Sequence, residues 1–69
     1  MLKGAKITFR RRTATIDCTV RDISDGGARL LLASVIGIPD SFELTIPGEP
    51  VRQCRLIWRK SEQIGVAFV

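Results

Sequence analysis

Apolar and polar side chains alternate with a period of two through most of the chain. Ala14, Ile16, Cys18 and Val20 are apolar, and Thr13, Thr15, Asp17, Thr19 and Arg21 around them are polar. Such alternation, rich in β-branched residues, marks a strand with one buried face. Phe42, Leu44 and Ile46 alternate in the same way with Ser41, Glu43 and Thr45. Cys54, Leu56 and Trp58 alternate with Gln53, Arg55 and Arg59, with Ile57 as an apolar exception on the polar side. Ile64, Val66 and Phe68 alternate with Gln63, Gly65 and Ala67. Shorter strand patterns span residues 4–9 and 27–32, so the chain predicts six strands.

Turn residues separate these segments. Residues 10–13 are polar, and Asp25-Gly26-Gly27 predicts a tight turn with Gly26 or Gly27 at positive φ. Gly37-Ile38-Pro39-Asp40, Pro47-Gly48-Glu49-Pro50 and Lys60-Ser61-Glu62 break the chain further on. No window carries a helical stripe. Strands spaced by roughly ten residues suit an antiparallel meander. Six short strands with one apolar face bury it best by curling into a small antiparallel barrel, which also removes exposed edges. The pattern places Ile16, Val20, Leu30, Leu44, Leu56, Trp58, Val66 and Phe68 inside.

The length of 69 residues allows one small domain, residues 1–69, and no separate catalytic and cofactor domains. No apolar run approaches the roughly 20 residues of a membrane helix, and no signal-peptide core follows Met1, so a cytoplasmic domain is expected. Eleven Lys and Arg against seven Asp and Glu leave a net charge of +4, which favours an anionic partner. The chain has no histidine, and its two cysteines, Cys18 and Cys54, cannot complete a zinc site. Both fall on the apolar side of their strands and are expected as buried free thiols. No phosphate loop, nucleophile–base pair or metal cluster is present, which argues against an enzyme.

The second strand holds the departure from the pattern. Its apolar side runs Ala14, Ile16, Cys18, Val20, and the next position on that side is Asp22. An unpartnered carboxylate is costly to bury, so the strand must end, bulge or give Asp22 a dedicated partner. Asp22-Ile23-Ser24-Asp25-Gly26-Gly27 reads either as a capped turn or as a ligand site. In the second reading the carboxylate accepts from a guanine N1–H and amino group, and the glycines admit the ligand to the backbone.

These residues resemble the Asp/Asn-x-Ser-x-x-Gly signature of PilZ domains, here Asp22, Ser24 and Gly27 followed by Ala28-Arg29-Leu30. Lys3-Gly4-Ala5-Lys6-Ile7, Cys54-Arg55-Leu56-Ile57-Trp58-Arg59 and the closing Gly65-Val66-Ala67-Phe68 extend the resemblance over most of the chain. It implies a bacterial six-stranded barrel that acts through protein partners, and cyclic di-GMP as the candidate ligand, with Asp22, Ser24 and Gly27 as contacts and no cofactor or metal.

Cyclic di-GMP-binding members carry an Arg-x-x-x-Arg segment just before the first strand, whose guanidinium groups clamp the phosphates. Here only Met1 and Leu2 precede Lys3. Arg55-x-x-x-Arg59 has the spacing but lies within a strand, and the clamp role is not carried over to it. The candidates for phosphate or acidic-partner contacts are Lys3, Arg10, Arg11, Arg12 and Arg21. The expectation is a receptor fold whose nucleotide binding is weak or lost. A nucleotide-independent interaction domain is the alternative. A nucleic-acid-binding barrel fits less well, because all four aromatic residues fall at expected core positions and such proteins stack bases on exposed rings.

Overall fold

A computed structural model describes residues 2–69. It contains six strands: β1 (Lys3–Phe9), β2 (Ala14–Ile23), β3 (Gly27–Leu31), β4 (Ser41–Thr45), β5 (Arg52–Lys60) and β6 (Gln63–Phe68). They close into an antiparallel barrel in the order β1-β2-β3-β6-β5-β4, with β4 pairing back onto β1. No helix is present among the described residues, and so none long and apolar enough to cross a membrane.

Inward positions follow the period of two. Val20, Leu30, Leu44 and Val66 are buried as expected, and Ile16, Leu56 and Phe68 pack against the core from its margins. Ala5, Ile7, Phe42, Ile46 and Ile64 complete the interior. Ile38, from the long β3–β4 connection, plugs one end. Cys18 and Cys54 are free and buried. Burial pushes both thiols up to about 11, helped at Cys18 by the charge of Asp17 and opposed at Cys54 by Arg52.

Trp58 departs from the expected interior. It is 40% exposed, on the outer face. The cause is a bulge in β5. Leu56 pairs with Val66 and Trp58 pairs with Gly65, so Ile57 is an extra residue. Beyond a bulge the facing of the strand is reset. Arg59 then stands opposite the buried Ile64, on the inward side, at the mouth of the barrel. Its guanidinium donates to the carbonyls of Val35 (3.4 Å) and Ile38 (3.3 Å), anchoring the β3–β4 connection.

The turn geometry also corrects the glycine expectation. Among the described residues the glycines at positive φ are Gly37 and Gly48, each at 84°, and neither Gly26 nor Gly27 joins them. The β1–β2 hairpin instead holds three arginines in the left-handed region, Arg10 (52°), Arg11 (55°) and Arg12 (68°). Left-handed turns match the twist of the strands they join, but each such residue costs roughly 1–2 kcal/mol when it carries a Cβ. Local contacts offset the cost. Thr13 donates through its amide (3.1 Å) and its hydroxyl (2.6 Å) to the Arg10 carbonyl, and Arg12 pairs with Glu43 at 3.3 Å.

Candidate functional site

The site is built from outward-facing residues of four neighbouring strands. A bulge in β2 makes it possible. Val20 faces inward opposite Leu30, Arg21 is the extra residue, and Asp22 pairs with Arg29 on the outside. The carboxylate on the apolar side of the strand is thereby returned to solvent. Arg29 donates to Asp22 Oδ2 from Nε (2.8 Å) and from a terminal nitrogen (2.6 Å), and Arg21 approaches the same oxygen at 3.9 Å.

The turn that follows is closed by its own backbone. The Ser24 amide donates to the Gly27 carbonyl at 2.8 Å, and the Ser24 hydroxyl adds a longer bond to that oxygen at 3.3 Å. The Phe68 amide donates to the Gly26 carbonyl at 2.9 Å, tying the turn to the end of β6. Gly27 is required by close approach: a Cβ there would overlap the Val66 carbonyl oxygen across the β3–β6 ladder. Asp22, Ser24, Gly27 and Arg29 border a shallow depression of about 200 Å³.

Cross-strand pairing extends the site beyond that depression. Asp22 lies opposite Arg29, Arg29 opposite Gly65, and Gly65 opposite Trp58, one unbroken row across β2, β3, β6 and β5. The Trp58 indole lies over Gly65, where any Cβ would overlap the ring. The adjacent outward row runs from the Ser24 turn through Gly27 and Ala67 to Arg55. Gly27 and Ala67 make a floor of small residues between the Ser24 turn and Arg55, with Gly65 beside them buried under the Trp58 indole.

The remaining sequence candidates are dispersed. Lys3 lies opposite Val20, at the signature end of the barrel, and pairs with Glu49 at 3.8 Å. Arg21 is at the bulge beside Asp22. Arg10, Arg11 and Arg12 follow Phe9, which lies opposite Ala14, six residues along β1 from Lys3. That is about 20 Å at the rise of a strand, so the arginine turn does not join Ser24 and Asp22. The sequence pattern gives no role to Arg29 or Gly65, sets Arg55 aside because it lies within a strand, and places Trp58 in the core. The signal that could have found the platform is the unbroken apolar run Leu56-Ile57-Trp58, which breaks the alternation where the bulge lies.

A larger depression of about 400 Å³ opens beside Gly4, Lys6, Asp17 and Thr45. Its two charges neutralise one another, with Lys6 donating to Asp17 at 2.6 Å.

The fold is thus a closed six-stranded antiparallel barrel that carries a shallow, solvent-facing depression at the Asp22–Gly27 turn. The PilZ domain family model matches residues 3–69, essentially the whole chain, and the chain belongs to that family. Its members are signalling modules of the cyclic di-GMP-binding type and are generally without catalysis. No curated protein and no solved structure matches the chain.

Proposed function

We propose that this domain is a non-enzymatic PilZ-type signalling module that acts through a protein partner and binds cyclic di-GMP weakly through residues 1–69. The observation that carries this reading is the outward turn of Asp22 beside the Ser24–Gly27 turn. The contacts from Arg29 and Arg21 fall on Asp22 Oδ2, so Oδ1 is the oxygen a guanine edge would address. The floor of Gly27 and Ala67 carries no side chain larger than a methyl group, and the Trp58 ring supplies an apolar wall beside it.

Affinity is limited by what faces the phosphates. Arg10, Arg11 and Arg12 sit away from the signature turn and so supply none of the charge-assisted phosphate contacts, which are worth roughly 1.5–3 kcal/mol each. Two such contacts are worth about 3–6 kcal/mol, a hundredfold to several ten-thousandfold in affinity. Ile36, 86% exposed, and Ile57, 58% exposed, offer apolar area for a protein partner, and they also suit the second reading of an interaction domain without nucleotide.

A titration of the domain with cyclic di-GMP at low salt, followed by amide shifts and calorimetry, tests the proposal. The expected result is shifts centred on residues 22–29, a Kd weaker than about 10 μM, and loss of those shifts in Ser24→Ala. Tighter binding, or shifts that avoid the signature turn, would overturn it.

A further inference from the structure

We propose that Arg55, reaching from β5, is a phosphate-contacting residue of the signature face. The inference rests on the nucleotide reading given above. Arg55 faces outward opposite Ala67, and Ala67 lies opposite Gly27. Two strand spacings, about 10 Å, therefore separate it from the signature turn. Only Gly27 and Ala67 lie between on that row, so no side chain larger than a methyl group separates the turn from Arg55, while Gly65 in the next row is covered by the Trp58 indole. A nucleotide whose base is held at Asp22 and Ser24 can lay its phosphodiester along this floor toward the guanidinium.

Lys60 lies one outward row further off, opposite Gln63 beyond Trp58, and the other cations around this face already have partners. Arg29 and Arg21 are on Asp22, and Lys3 is on Glu49. Arg52 lies over the Phe68 ring at 4.5 Å, and Arg59 is turned to the loop carbonyls. Arg55 has no ion pair, hydrogen bond or ring contact with the described residues. The β5 bulge is what separates it from Arg59: with regular alternation the two would share the outer face. A guanidinium that spends nothing on internal pairing can present its fork to a phosphate with both N–H bonds available.

The test titrates cyclic di-GMP and, separately, uncharged guanosine into the wild type, Arg55→Ala, Arg55→Lys and Ser24→Ala, with amide shifts as readout. Arg55→Ala is expected to weaken cyclic di-GMP about tenfold or more, to leave guanosine-induced shifts unchanged, and to melt at the wild-type temperature. Arg55→Lys is expected to recover part of the affinity, since it keeps the charge and loses the fork. If Arg55→Ala binds cyclic di-GMP like the wild type while Ser24→Ala does not, the role of Arg55 is overturned and the signature reading stands. If the wild type shows no shifts at Ser24 or Arg55 at millimolar nucleotide, both are overturned.

Discussion

The bulges in β2 and β5 insert one residue each, and each delivers one side chain to the same outer row. In β2 the extra residue is Arg21 and the delivered group is Asp22. In β5 the extra residue is Ile57 and the delivered group is Trp58. Their surroundings differ. Asp22 arrives next to a long cation and is tied by Arg29 through two short bonds. Trp58 arrives next to a glycine and is held by surface contact over Gly65. The residues that follow differ as well. Ile23 returns to the inward side at the signature end, whereas Arg59 returns to the inward side at the mouth and bonds two loop carbonyls. One bulge thus turns a paired carboxylate to the surface, and the other makes an apolar wall and a loop anchor. The comparison teaches that an irregularity of a single residue can set both ends of a site, provided the partner strand supplies a matching side chain or leaves room.

The largest expected effect tests the room left opposite the β2 hairpin. Gly27→Ala should destabilise the domain by about 1–3 kcal/mol, because its Cβ meets backbone that cannot swing aside. Gly27→Asn should be at least as harmful, whereas a glycine needed only for positive φ would tolerate Asn well. Urea unfolding of the two variants separates these causes, and a stable Asn variant would restore the conformational explanation.

A smaller effect probes the anchor of the β5 bulge. Arg59→Met keeps the stem and removes both bonds to the loop. A loss of about 0.5–1.5 kcal/mol is expected, with amide shifts concentrated at residues 35–38 and Trp58 fluorescence nearly unchanged. Shifts concentrated instead at Gly65 and Trp58 would mean that wall and anchor are one unit.

The smallest effect falls on the reader itself. Asp22→Asn removes the charge from an exposed pair, so stability should fall by only about 0.2–1 kcal/mol, and less at high salt. A loss of several kcal/mol in chemical denaturation would show that the β2 bulge depends on this pair to form.

Much of the barrel was legible in the chain because its strands obey one rule. Val20, Leu30, Leu44 and Val66 sit where alternation puts them. The β2 bulge was legible too, since a carboxylate on the apolar side demands an explanation. The β5 bulge was not read, because an indole is apolar enough to be accepted on either face, and only Ile57 hinted at the reset. Gly27 was chosen with the wrong cause. Its constraint comes from Val66, nearly forty residues away, and no local window contains that contact. Arg55 and Arg59 read alike as letters, and only the reset in facing gives them different surroundings.

Closure of the barrel has a kinetic consequence. β1 must find β4, and β3 must find β6, which lies more than thirty residues downstream. Until β6 emerges from the ribosome, a growing chain holding β1 to β3 has an uncovered apolar face and open edges. Such long-range pairing places the domain among proteins that fold in milliseconds to seconds. During synthesis at roughly 5–20 residues per second, the nascent barrel therefore waits seconds in a form exposed to aggregation and to chaperones.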